Sequence, residues 1–323
     1  MLRDILSGDD PQVLAVSNVI RAANADVLIL SGIDYDLQRH ALNAFARHLQ
    51  EYDHLVARAP NRGLPTSMDL DGDGRLGGPG DAQGYGRFWG QGGLVVLSRI
   101  PVVPAHIQDF SALVWPELPM NIAPEKTWPG QRLSTNLHLA VEFDPPGDEP
   151  FSVLLWHATP PVFDGPEDRN GRRNHDETAF WLRYLEGRFG PIPERFVLAG
   201  IANLDVYDGE GRPEALSNLL NHPSLLDPRP SSNWGREAAA LDGGVNGRHL
   251  GDPALDTVDW DDQEGRPGNM RVSYVLPSRT FEVVGSGIIW PDPETSLGRD
   301  VIEASRHRLV WVDVCVQRCR NGS

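Results

Sequence analysis

Three parts of this chain combine residue types and spacings that could do chemistry. The first is Asp69-Leu70-Asp71-Gly72-Asp73-Gly74, with acids at positions 1, 3 and 5 and glycine at 6, as in the start of a calcium-binding loop. Position 12 is Gly80 rather than a glutamate, so an EF-hand is excluded. Three alternating carboxylates facing one point repel one another without a cation. Asp69, Asp71 and Asp73 are therefore expected to wrap Ca²⁺ in another setting; the alternative is a solvated turn of Asp and Gly. The second part is His157, at the end of the apolar run Phe151–Trp156 and just before Thr159-Pro160-Pro161. Alone, such a histidine is more often a satisfied buried residue, but the polar stretch after it favours a site. An imidazole there can exchange a proton near neutral pH.

That stretch is the third part: Asp164, Glu167, Asp168, Asn170, Arg172, Arg173, Asn174, His175 and Asp176. It reads either as a substrate-facing loop, with a guanidinium for an anionic group, or as caps and ion pairs ahead of a helix. Asn174 or Asp176 is a candidate cap, and Asn170 and Arg172 are the better ligand-binding candidates. Asp252, Asp256 and Asp259 lie in another polar loop and are expected to be solvated.

Alternation and periodicity supply the elements that must hold these residues. Val13, Val16, Ile20 and Ala23 share one helical face, 26–30 is a buried strand, and 37–49 returns as a helix. A Gly- and Asp-rich loop spans 60–93. Strands are expected at 93–99, 137–143, 151–157, 195–200, 272–276, 281–289 and 309–314, and helices at 176–189 and 213–220. Residues 227–269 read as loop. This mixture predicts an α/β fold in which two packed β-sheets are flanked by helices in four layers. A single domain over 1–314 is expected, followed by a tail at 315–323 that carries Cys319 and Cys315, too few cysteines for a disulfide framework or a zinc site.

The formal net charge is −16. Proteins that hold nucleic acid by neutralising phosphates are usually basic, so a phosphorylated small molecule is favoured over a long nucleic acid. No apolar stretch is long enough to span a bilayer, and no membrane partner is expected. Met1–Gly8 carries Arg3 and Asp4 and does not look like a signal peptide. The sequence leaves the oligomeric state open.

Four segments, in order, resemble the endonuclease/exonuclease/phosphatase superfamily. They are Gly92–Pro101, similar to a strand ending Ser-Arg-Pro; His157–Pro161; Gly200-Ile201-Ala202-Asn203-Leu204-Asp205, similar to Gly-Asp-x-Asn; and Arg271–Pro277 with Ser305–Arg308, similar to Arg-x-Asp-Tyr and Ser-Asp-His. The stretches His157–Glu177 and Asp69–Phe88 look like a poorly characterised bacterial branch.

The resemblance implies a DNase-I-like fold and phosphodiester or phosphomonoester hydrolysis with Mg²⁺ held by carboxylates. It places His157, Asn203 and His307 in the cleft as catalytic residues, and Tyr274 with Asn170 and Arg172 as substrate-binding residues. The family pattern is broken at four positions. Ile201 replaces the aspartate of Gly-Asp-x-Asn, Ser273 the aspartate that orients the last histidine, Arg306 the aspartate before that histidine, and Gly32 a metal-binding glutamate common in the family. The family's first strand would precede the first helix here, so the N-terminus is expected to be incomplete. General-base catalysis alone supplies about 10²–10⁴-fold in rate. Loss of a base together with a metal ligand therefore predicts weak or absent turnover.

Overall fold

Every residue from Gly93 to Ser98 is buried, which a strand achieves only when both faces of its sheet are covered. The computed structural model describes residues 1–316, and its layers follow from that requirement. In chain order the elements are α1 (Leu2–Ser7), α2 (Pro11–Ala23), β1 (Val27–Ile33), α3 (His40–Ala46), β2 (His54–Ala57), β3 (Gly93–Ser98), β4 (Gln108–Asp109), β5 (His138–Phe143), β6 (Phe151–His157), α4 (Arg169–Leu185), β7 (Phe196–Ile201), α5 (Glu214–Leu220), α6 (Asn233–Asp242), β8 (Ser273–Pro277), β9 (Phe281–Ile289), α7 (Ser296–Ala304) and β10 (Leu309–Val316). One sheet has the order β1-β3-β2 and another β4-β5-β6-β7-β8, and β9 and β10 form a hydrogen-bonded ribbon. Within the five-stranded sheet only β6 and β7 run parallel.

Side-chain alternation sorts the core. Val95 and Leu97 pack with Ile20, Leu42 and Phe45 of the outer helices, while Leu94 and Val96 turn inward onto Leu139, Val141, Val153 and Leu155 of the other sheet. From β6, Leu154 and Trp156 point the opposite way, onto Phe180, Trp181 and Tyr184 of α4 and Leu216 of α5. The layers are thus helices, sheet, sheet, helices, as expected. Each fully buried leucine contributes about 1.5–3 kcal/mol. Leu155 is fully buried between the sheets, and Leu155→Ala would cost about 2–5 kcal/mol.

The structure departs from the sequence reading in several places. β1 continues to Ile33 through a bulge at Gly32, where a loop was expected. β2, β4, α6 and α7 were not foreseen, and α6 lies inside the expected 227–269 loop. β10 runs on to Val316, past the expected 314 boundary, and so takes in Cys315; Cys319 lies outside the described residues. α4 begins at Arg169 rather than Asp176. Asn174 and Asp176 are therefore not caps. Asn174 donates to Thr159 O and Ala202 O, both at 2.7 Å. Asp176 accepts Trp115 Nε1–H at 2.6 Å and Ile122 N–H at 2.8 Å. The polar first half of α4 is buried because its side chains satisfy backbone groups of the loops packed on it. No helix among the described residues is long and apolar enough to cross a membrane.

Candidate active site

The β6–β7 register sets His157 beside Ile201, and the β7–β8 register sets Ile201 beside Ser273. Three positions singled out in the sequence thus form a row across the five-stranded sheet. The other sheet reaches the same row, because Ser31 Oγ on β1 lies 2.6 Å from His157 Nδ1. The β1–β3 register shifts between Ser31 and Ile33, and the extra residue is Gly32, at φ +103°. A bulge of this kind re-aims the adjacent side chains.

His307 is brought in by the segment at Thr257 and Val258. Arg308 N–H donates to Thr257 O at 2.8 Å, and Val258 bridges both Met270 and His307 through the backbone. Thr257 Oγ1 accepts the N–H groups of Val272 (2.9 Å) and Ser273 (3.0 Å). Thr257 thus links the backbone of Ser273 to that of Arg308, the residue after His307, whose ring stands edge-on to Trp260 at 5.8 Å. Its Nδ1 is buried without a hydrogen-bond partner. The resemblance implies an aspartate at position 273 that orients this histidine; Ser273 carries no charge there.

Both imidazoles are held neutral. Burial pushes His157 down to about 3, reinforced by the charge of Arg62 and then by His307. Burial pushes His307 down to about 4, with Arg308 adding to it. Arg308 is anchored by Asp259 Oδ2 at 2.5 Å. The side chain of Arg62 has one hydrogen bond, a 3.5 Å contact from Nε to Tyr85 O, and Asp34 attracts it electrostatically. Asn203 takes a left-handed conformation (φ +51°) and donates to Ala158 O at 2.7 Å, which fixes its amide beside the residue that follows His157. Such a φ suits asparagine better than most residues.

The remaining predicted residues lie as follows. Tyr274 is fully buried, and its hydroxyl donates to Leu204 O and Arg271 O. Asn170 donates to Val162 O, and its backbone N–H donates to Asp164. Arg172 donates to Glu167 O and Ile122 O. Arg306 is exposed. Sequence reasoning missed Ser31 and Arg62, which carry no motif. It also missed Glu177, whose carboxylate accepts Thr135 N–H at 2.5 Å and Thr159 N–H at 2.6 Å. Burial pushes that carboxyl up to about 7, against the pull of Arg173 and these donors. Glu177 thereby ties the loop after His157 to α4.

A hard divalent cation is held by oxygen ligands, carboxylates above all. The positions that the resemblance assigns to the site offer two imidazoles, an amide, hydroxyls, Ile201 and Gly32, with no carboxylate among them. This donor set does not fit the Mg²⁺ that the resemblance implies. Among the described residues, the one group of three acidic, His or Cys side chains whose ligand atoms lie within 4.8 Å of one another is Asp69, Asp71 and Asp81. Asp73 is not part of it; its Oδ1 accepts Arg75 N–H at 2.8 Å. Asp81 is buried and accepts Leu70 N–H (2.8 Å) and Gly78 N–H (2.9 Å), which hold its carboxyl below the usual range.

Known structures share this architecture. A protein of Beutenbergia cavernae DSM 12333 described as an endonuclease/exonuclease/phosphatase superposes with a TM-score of 0.58 at 20% identity, over 95% of this chain and 66% of that one; the present chain thus spans just under two thirds of that protein's length. An endonuclease/exonuclease/phosphatase from Bacteroides vulgatus gives a TM-score of 0.52 at 12% identity, over 95% and 90% of the two chains. Comparison with curated proteins finds no match. The sequence profile of the Endonuclease/Exonuclease/phosphatase family matches residues 5–307, so the chain belongs to that family.

Proposed function

We propose that this chain is a phosphoester-binding member of a hydrolase family whose own turnover is weak or absent. The observation that carries the reading is the row itself. Ile201 stands between His157 and Ser273, so a side chain that can neither ligate a metal nor accept a proton occupies the position of the family's aspartate. The unmatched Nδ1 of His307 is a second mark of the same loss. Without an acceptor behind it, the ring has no partner to stabilise an imidazolium, and general acid–base work by that ring is disabled. What survives can bind and orient: Asn203, both neutral imidazoles and Arg62. A small phosphorylated ligand fits the net charge of −16 better than a long polyanion does.

The test is hydrolysis of p-nitrophenyl phosphate and bis(p-nitrophenyl) phosphate with Mg²⁺. The native chain is expected to stay near background, and Ile201→Asp with Ser273→Asp to raise turnover. Robust magnesium-dependent turnover by the native chain would overturn the reading.

A structural role for Ca²⁺ is a second reading, favoured by the convergence of Asp69, Asp71 and Asp81. In this reading the ion pins the 69–81 loop, as the sequence reading proposed, but with Asp81 in place of Asp73.

A further inference from the structure

The residues that fail to fit a divalent cation do fit an anion. We propose that Arg62, His157, His307 and Asn203 bind a phosphoryl oxyanion directly, with no metal ion between protein and ligand. This inference rests on the phosphoester-binding reading above and specifies how that binding is done.

Arg62 is the central observation. Burying a guanidinium is unfavourable unless it is paired or hydrogen-bonded, and the three buried arginines among the described residues, Arg173, Arg271 and Arg308, are each held by several acceptors. Arg271 is bidentate to Asp227 at 2.8 and 2.6 Å. Arg308 pairs with Asp259. Arg173 donates to the carbonyls of Leu133, Gln83, Arg132 and Ser134. Arg62 is half-buried with a single 3.5 Å contact to Tyr85 O, and Asp34, the acid that attracts it, uses Oδ1 to accept Gly92 N–H at 3.0 Å. A guanidinium presents a planar fork of donors matched to phosphate oxygens, and here its Nη1 lies beside Gly92, 2.9 Å from where a Cβ there would stand and near Gly32, the neighbour of the Ser31 that touches His157.

The histidine is tuned for the same task. Ser31 Oγ lies 2.6 Å from Nδ1; in the tautomer in which the hydroxyl donates across this contact, a neutral His157 carries its proton on Nε2, which is then a donor. Asn203 is fixed next to the same loop through Ala158. In a member of this family with acids at the positions of Gly32, Ile201 and Ser273, those carboxylates would repel a bare phosphate. Their replacement by uncharged residues removes the repulsion and leaves Arg62 as the positive charge of the cleft.

The experiment is calorimetric titration of inorganic phosphate into EDTA-treated protein. Saturable binding is expected, weakened about tenfold or more in Arg62→Gln and less in Arg62→Lys. Arg248, which pairs with Glu264 on the surface, provides the control Arg248→Gln, with unchanged affinity. Proton NMR of the native protein supplies a readout that needs no variant to fold: phosphate is expected to move the C2–H resonance of His157. Binding that appears only when Mg²⁺ or Ca²⁺ is added, no binding, equal affinity in Arg62→Gln, or an unmoved His157 resonance would each overturn the inference. The two readings fail separately. Metal-dependent binding without turnover sinks this inference alone, whereas magnesium-dependent turnover sinks the proposed function.

Discussion

Ser31 on one sheet and His157 on the other meet at 2.6 Å, although 126 residues separate them in the chain. This contact joins the two sheets at the candidate site and supplies the imidazole's hydrogen-bond partner. Ser31→Ala leaves Nδ1 in a buried position without a partner, a loss of about 1–3 kcal/mol. Urea denaturation should show the midpoint fall with an unchanged slope. An unchanged midpoint would mean that the contact contributes nothing to stability.

His307 offers the converse test. Its Nδ1 lacks an acceptor, and burial holds the ring down to about 4. Ser273→Asp provides a negative acceptor across Thr257, which favours the charged ring. The histidine titration followed by NMR should move upward, towards the ordinary range. A titration that stays near 4 would show that position 273 does not reach the ring.

Asp256 gives a pH-dependent prediction. The residue is buried, and burial followed by the charges of Asp205 and Asp208 pushes its carboxyl up to about 8. A carboxyl whose folded value is raised contributes stability that is complete below its unfolded value near 4 and is lost as pH rises through 8. Asp256→Asn carries no charge at any pH. Its melting temperature relative to the native protein should therefore climb from pH 5 to pH 8 and level off above, with a ceiling of about 1.4 kcal/mol per pH unit. A constant difference across that range would remove Asp256 as the titrating group.

For the 69–81 loop, calcium should raise the melting temperature of the native chain by mass action. Asp71→Asn should abolish the rise, while Asp73→Asn should keep it, because Asp73 stands outside the convergent group. Loss of the effect in Asp73→Asn with retention in Asp71→Asn would reverse the assignment.

Glu177→Gln replaces one acceptor with an amide that must face a backbone N–H of Thr135 or Thr159. A buried mismatch of this kind costs about 1–3 kcal/mol, more where a charged group is involved. Thermal denaturation should show a clear loss; a neutral outcome would mean that the loop after His157 is held by other contacts.

The layers were legible because buried strands need continuous apolar runs. Leu94–Leu97 and Val153–Trp156 announce themselves without any partner in view. The start of α4 was not legible. Arg173, Asn174, Asp176 and Glu177 look solvated in sequence and are buried in the fold, because loops distant in the chain supply their partners. The order of the motifs singled out His157, Ile201 and Ser273, and the strand registers set them side by side. Ser31 and Arg62 did not, since a serine before a glycine and one arginine among many have no spacing to betray them. Asp81 was overlooked in favour of Asp73 because alternation along the chain was taken for convergence in space, and the turn at Gly78–Asp81 decides otherwise.

Gly32 carries a lesson about reversal. At φ +103° its backbone occupies a region that a side chain enters only with strain, although nothing lies within 4 Å of where its Cβ would be. A glutamate introduced there would find space but not a comfortable main chain, at roughly 1–3 kcal/mol. Rebuilding a cation-dependent enzyme from this scaffold thus asks for a strained main chain at the bulge beside Ser31 as well as new acids along the cleft.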